Sequence, residues 1–395
     1  MLTQRKPHTT PGVYLEEMFP APSPELITGV PAFLGVTEAK NGESQDANQP
    51  KLLKLWPQFE QFFVQASSES YLAHAVPKSY LAHAVRGFFE NGGRLCYVVP
   101  LKDAGKEALK EGLTAIESLD SIDLVCAPDI MLLTSELEGV KKMQTLVLKH
   151  CDKMGDRFAI LDSLRNQEQI KEQITEQRKA LESNNGALYF PWIKVLNPAN
   201  QTKFIEVPPC GHIAGIYAQS DRTYGFPQTP ANYSLEGVLD LSDAWSTQEN
   251  SNELQSINCL RVLKGRGIRI WGGRTLSPDP DWQYINVRRL FLTVTRWIER
   301  NLQDVVFEPN DFKLWVRIER ELTTYLESLR QKGALQGRTS QEAFYIKCDS
   351  ETNPPEMREI GTVVTEIGLA PTQPNEFIVV HIIHGTAGVN STTQP

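Results

Sequence analysis

Residue types that do chemistry are present in this 395-residue chain, but their spacing seldom fits a reaction. His381 and His384 form the run HIIH. On a strand, side chains three apart point to opposite faces, so this pair cannot share a metal. The stretch GRGIRIWGGRT invites a phosphate-binding reading. A P-loop needs a lysine and then a hydroxyl after its last glycine, whereas Arg274 and Thr275 follow Gly273 with the wrong spacing before them. A dinucleotide fingerprint needs a third glycine where Ile270 stands. The glycines therefore read as turn residues around a strand over Ile268–Trp271. Asp221-Arg222, Asp240 and Asp243 offer carboxylates, yet nothing orients them as acid and base, and ion pairs are the expectation. There is neither a Gly-x-Ser-x-Gly elbow nor a His-Glu-x-x-His helix. No catalytic, cofactor or metal site is expected.

The remaining reactive side chains have structural readings too. His74 and His83 hold equivalent places in a tandem duplication, SYLAHAVPK at Ser70 followed at once by SYLAHAV at Ser79. Functional repeat arrays have longer periods and more copies, so this is a local duplication with Pro77 breaking the helix between copies. Cys96, Cys126, Cys151, Cys210, Cys259 and Cys348 include no Cys-x-x-Cys pair, and several sit in apolar runs. Buried, reduced thiols of a cytoplasmic protein are expected.

Hydrophobic residues make up 41% and charged residues 22% of the chain, the balance of a folded protein. At ~150 residues per domain the length suggests two or three domains. No apolar run approaches the ~20 residues that cross a bilayer, and MLTQRKPHTTPGVYLEE lacks the apolar core of a leader. Direct membrane insertion and secretion are therefore not expected.

Residues 1–28 are an extended arm, because Pro7, Pro11, Pro20, Pro22 and Pro24 block helix and remove ladder donors. Val13, Tyr14 and Leu15 are a β-prone piece within it. From Gly29 a buried strand begins, and from Arg94 strand-like and helical runs alternate. The strands are RLCYVVPL, IDLVCAPD, RFAILDS and ALYFPWIKVLN, with helices at Asp103–Leu119, Ser135–Met154 and Leu164–Leu181. This alternation predicts an α/β domain over 29–230 with a largely parallel sheet. An α+β domain follows over 231–376, and residues 377–395 form a strand and tail, with Phe377, Ile378, Val379 and Val380 as the strand.

The α+β domain contains two amphipathic helices. The first, about Asp281 to Gln303, puts Val287, Leu290, Phe291, Val294, Trp297, Ile298 and Leu302 on one face. Arg289, Arg296 and Arg300 fall nearly opposite, within about 40° of each other. The second is capped by Asn310 or Asp311, ends at Gly333 and has the seam Trp315, Ile318, Leu322, Tyr325, Leu326 and Leu329.

The formal charge of −8 disfavours nucleic acid as a partner. It is also unevenly spread. Arg261 to Arg300 holds nine basic and three acidic residues, a net of +6, leaving −14 elsewhere. Either a solvated helix face or a docking face for an acidic partner would account for it.

Several blocks in order carry a resemblance: TPGVYLEE, GVPAFLGVTEA, AVRGFFENGGRLCYVV, the long run from INCLRVLKGRG to VVFEPND, LWVRIERELTTYLESLRQKGALQG, EAFYIKCDSETN and EFIVVHI. The chain resembles contractile tail sheath proteins of phages, R-type pyocins and extracellular injection systems. The resemblance implies a non-enzymatic structural subunit that forms hexameric rings stacked helically around an inner tube and contracts to drive that tube through an envelope. It implies an outer part at about 40–200 and a tube-proximal domain at 231–376. Both arms would add strands to neighbouring subunits, through Val13–Leu15 and Phe377–Val380. Arg289, Arg296 and Arg300 would face the tube, with Lys313, Arg317 and Arg320 as the competing set. Partners would be other copies, the tube protein, baseplate and cap proteins, and sibling sheath proteins, in a particle assembled in bacterial cytoplasm. A specialised ring at the baseplate or cap is the alternative, and an α/β enzyme the rival from another class.

Overall fold

A computed structural model describes residues 26–37, 47–63, 79–133, 137–165, 170–197, 200–243 and 256–374. Both expected arm strands, Val13–Leu15 and Phe377–Val380, lie outside the described residues, as do His74, His381 and His384.

The α/β half alternates as its sequence predicts. In order come β1 (Pro31–Val36), β2 (Lys51–Leu53), α1 (Trp56–Phe63), α2 (Leu81–Glu90), β3 (Cys96–Leu101), α3 (Lys106–Ala115), β4 (Leu124–Cys126), α4 (Leu137–Met154), β5 (Phe158–Asp162), α5 (Ile170–Ala180) and β6 (Gly186–Phe190). Then follow β7 (Ile193–Asn197), β8 (Asn200–Val207), α6 (Cys210–Tyr224), β9 (Val238–Leu241), β10 (Ile257–Leu263) and β11 (Gly267–Trp271). An eight-stranded sheet runs in the order β11-β10-β6-β5-β4-β1-β3-β2. Its six inner strands pair in parallel, and β11 and β2 close the edges antiparallel. Strands β4, β5 and β6 are buried throughout, which is why they read as unbroken apolar runs.

Two boundaries differ from expectation. ALYFPWIKVLN is two strands, because Pro191 has no N–H to continue a ladder; β7 leaves the main sheet for a three-stranded one ordered β8-β7-β9. A division at 230/231 would cut the main sheet, since β10 pairs with β6 and β11 with β10. Hydrogen bonding across 70 residues, which a chain-order reading cannot see, keeps 256–271 in the α/β half.

The second copy of the duplication is a core element. Ser79 and Tyr80 are tied to Asp129, whose carboxylate accepts Ser79 Oγ at 2.7 Å and Tyr80 N at 2.5 Å. Leu81 to Val85 are all buried in α2, which packs on α6. That packing leaves no space at Gly211, where a Cβ would lie 2.1 Å from the carbonyl oxygen of Ala84. The first copy falls mostly at 70–78, outside the described residues.

The C-terminal half holds α7 (Ile285–Asn301), α8 (Phe312–Gln331), the short α9 (Ser340–Ala343), β12 (Phe344–Lys347), the short α10 (Pro355–Glu359) and β13 (Glu366–Leu369). Asp311 caps α8 by accepting Lys313 N and Leu314 N, while Asn310 accepts the Trp315 indole N–H. Gly333 ends α8 at φ +79°. Leu290 and Val294 of α7 pack with Leu326 and Leu329 of α8, and Trp297 stacks on Tyr325 at 4.0 Å.

Candidate functional site

The charged helix faces and the strand edges are the candidate surfaces. Among the described residues no group of three or more His, Cys, Asp or Glu side chains could hold a metal. All six cysteines are buried and unpaired. Burial disfavours the charged form of the buried acids and imidazoles: Asp129 is pushed up to about 6 and Asp162 to about 7, and His83 down to about 3. These groups sit in packed cores and are not arranged around a cleft.

The basic face of α7 is not a surface. Arg289 is 2% exposed and Arg296 4%, which corrects the expectation that both face outward to a tube. Arg289 donates from Nη1 to Asp221 Oδ1 at 2.8 Å, and from Nη2 to Asp221 Oδ2 at 2.6 Å and Asp123 Oδ2 at 3.1 Å. Its guanidinium also lies 4.9 Å from the centre of the Tyr217 ring. Arg296 donates through Nη2 to the Asp120 carbonyl at 3.1 Å. The helix is thus buried on both sides, apolar against α8 and ionic against the α/β half. Periodicity found both faces, but could not show that carboxylates 68 and 166 residues away meet the second one.

Other members of the basic sets remain accessible. Arg300, Lys313 and Arg320 are exposed. Arg317 is half-buried and tied to Asp304 at 2.6 Å, Glu321 at 3.0 Å and Glu308, so its charge is answered within the chain. Hydrogen bonding to Glu321 first, with the nearby carboxylates, raises its pKa.

Strand edges are the second candidate surface. β12 and β13 form an antiparallel pair with Phe344 opposite Leu369 and Ile346 opposite Ile367. Phe344 joins the buried cluster of α7 and α8, and Ile346, Ile367 and Leu369 pack against it. A two-stranded sheet has an outer edge on each strand, to which a further strand can be added. Just beyond β13, residues 334–336 already pair with 370–372, Gln336 N donating to the Ala370 carbonyl at 2.8 Å and Thr372 N to the Ala334 carbonyl at 3.1 Å. The β11 edge is covered by residues 232–235, where Asn232 N donates to the Ile270 carbonyl at 2.7 Å and Leu235 N to the Ile268 carbonyl at 3.0 Å.

Comparison with known proteins agrees with this architecture. The family model described as phage tail sheath protein central domain matches residues 102–276, and that for the phage tail sheath C-terminal domain matches 277–383. The two meet where the eight-stranded sheet gives way to the segment leading into α7. A putative prophage major tail sheath protein of Pseudomonas aeruginosa (strain UCBPP-PA14) is 24% identical over 178 residues, covering 43% of this chain and 44% of that protein. The tail sheath protein of Escherichia phage P2 is 30% identical over 80 residues, covering 19% of this chain and 20% of its own length. The chain thus spans less than half the length of these curated relatives in the aligned stretches. Solved structures align far more completely. A chain of the anti-feeding prophage (AFP) baseplate superposes with TM-score 0.76 at 27% identity, covering 96% of this chain and all of that one. A chain of an extracellular contractile injection system, the PVC sheath complex in its contracted state, superposes with TM-score 0.75 at 27% identity, covering 97% and 99%. Family models over most of its length and whole-chain likeness to sheath structures place the protein in the contractile tail sheath family.

Proposed function

We propose that the chain is a non-enzymatic sheath subunit that forms six-membered rings, stacks them around an inner tube, and shortens the stack to drive the tube through a target envelope. The observation that carries this reading is whole-chain superposition on a sheath in its contracted state. The two-stranded sheet of β12 and β13 supports strand addition by arms of neighbouring copies, residues 1–28 and 377–395. Backbone hydrogen bonds would keep those joints intact while subunits rotate as rigid bodies. Arg300, with Lys313 and Arg320, supplies the exposed basic groups for an acidic tube. Exposed pairs contribute only ~0–1 kcal/mol each, which suits a contact that must hold register and then release. Assembly in bacterial cytoplasm, with baseplate, cap and sibling sheath proteins as further partners, follows from the same reading.

Negative-stain microscopy of the purified protein tests it. Hollow tubes with a ridged outline are expected, and deletion of Met1–Phe19 should leave a folded monomer that no longer forms long tubes. Discrete particles that turn over a substrate would sink the reading. A second reading, a ring next to the baseplate, is favoured by the equally good match to a baseplate structure. Short single or double rings that do not elongate would select it.

A further inference from the structure

Four buried polar side chains line one side of α7: Asn286, Arg289, Thr293 and Arg296. At 100° per residue they fall within about 80° of each other, and they span about 15 Å of helix. Asn286 and Arg296 reach segments where the arms join the folded core, and Arg289 does so through Asp123 and Asp221.

The N-terminal root is held by the two arginines. Asp123, bound to Arg289, accepts the backbone N–H of Gly29 at 2.9 Å and of Val30 at 2.6 Å. Asp221, the other carboxylate on Arg289, accepts the Thr28 side chain. Arg296 Nη2 lies 3.5 Å from the Ile27 carbonyl in donor geometry. Gly29 is needed at this bend, because its φ is +73° and a Cβ would lie 2.6 Å from Ala218 Cα. The C-terminal root is held by the same helix face. Asn286 Nδ2 donates to the Thr372 carbonyl at 2.8 Å, two residues before the last described residue. The adjoining apolar face of α7, about 100° round the helix, is fixed on α8 through Leu290 and Val294, so the helix cannot slide freely under these contacts.

We propose that α7 is a mechanical bridge between the two arms, with Arg289 and Arg296 positioning the N-terminal root and Asn286 the C-terminal root. A pull on one arm then reaches the other through α7, alongside the path through β1 and through Asp123 just before β4. The bridge deepens the sheath reading and rests on it, since a load exists only if the arms join neighbours. Directional polar contacts suit this role: a buried ion pair and hydrogen bonds hold an angle as well as a distance, which an apolar contact does not.

Hydrogen–deuterium exchange on the full-length monomer tests the coupling, using a variant at one root and reading the other. Asn286→Ala should speed exchange of the Gly29 and Val30 amides about threefold or more, although it touches neither. Arg296→Met should do the same to the Thr372 amide, and Arg296→Lys, which keeps a donor, should largely restore it. Arg289→Met is the less informative variant because it can unfold the protein. Changes confined to the mutated root, in both directions, would overturn the bridge. Because exchange is read on monomers, this outcome is separable from the arm-deletion result. Tubes lost on arm deletion with uncoupled roots would leave the sheath reading standing and remove only the bridge.

Discussion

Arg289 and Asp221, 68 residues apart, meet in a buried two-pronged ion pair that joins the first helix of the C-terminal half to the last helix before β9. Asp123 shares the same guanidinium. Burial alone would raise the Asp221 carboxyl, and the cation opposes that shift. Burial works against the Arg289 charge, and the two carboxylates outweigh it and raise its pKa, so the charge is permanent.

Removing only the cation should therefore be severe. Arg289→Met strands two carboxylates in a low-dielectric site and should cost about 3–5 kcal/mol by chemical denaturation. Arg289→Met combined with Asp221→Asn should be less destabilised than Arg289→Met alone, since one buried charge has gone with its partner. A double variant whose loss equals the sum of the Arg289→Met and Asp221→Asn losses measured singly would show that the pair contributes no coupling.

Charge reversal on the surface should behave in the opposite manner. Arg300→Glu, Lys313→Glu and Arg320→Glu alter exposed groups, and each should shift stability by no more than about 0.5 kcal/mol. Together they should abolish extended particles around a tube and still permit contracted-type tubes without one. Extended particles that form normally would exclude this set as the tube contact.

Close approach of α2 and α6 gives a steric prediction. Gly211→Ala would place a methyl group against backbone atoms of Ala84, at 2.1 Å from its oxygen and 2.3 Å from its Cα. A loss of about 1–3 kcal/mol is expected, the range for overpacking a tight core. Ala84→Gly should not rescue it, because the obstructing atoms are backbone. Rescue in a thermal melt would mean that the helices are spaced by side chains instead.

Buried histidines set the direction of acid sensitivity. Burial lowers His83 to about 3, helped by His212 and Arg86, and lowers His212 to about 4. The unfolded chain binds protons below pH ~6.5 that the native chain refuses, so stability is lost as pH falls from there towards about 4. Asp129 and Asp162, raised to about 6 and about 7, act with the opposite sign but are common to both proteins compared. His83→Gln should therefore flatten the fall by about 1.4 kcal/mol per pH unit in that window. An unchanged slope in denaturation midpoints between pH 6 and 4 would refute the neutral, buried imidazole.

Legibility in the sequence followed how local each cause was. The Asp311 cap, the Gly333 stop and the α8 seam are set within a few residues, and all three appear where the pattern puts them. The buried parallel strands announce themselves as apolar runs for the same reason. What the sequence by itself determined was the alternation of elements and the family's ordered blocks. Tertiary structure alone decided which charged residues are surface. A helix face of arginines reads as solvated until carboxylates from Asp123 and Asp221 arrive across the fold. Pairing of β10 with β6 likewise moved a boundary, because ladder hydrogen bonds join backbone distant in sequence. Desolvation and long-range pairing depend on the folded neighbourhood, and spacing along the chain carries no record of it.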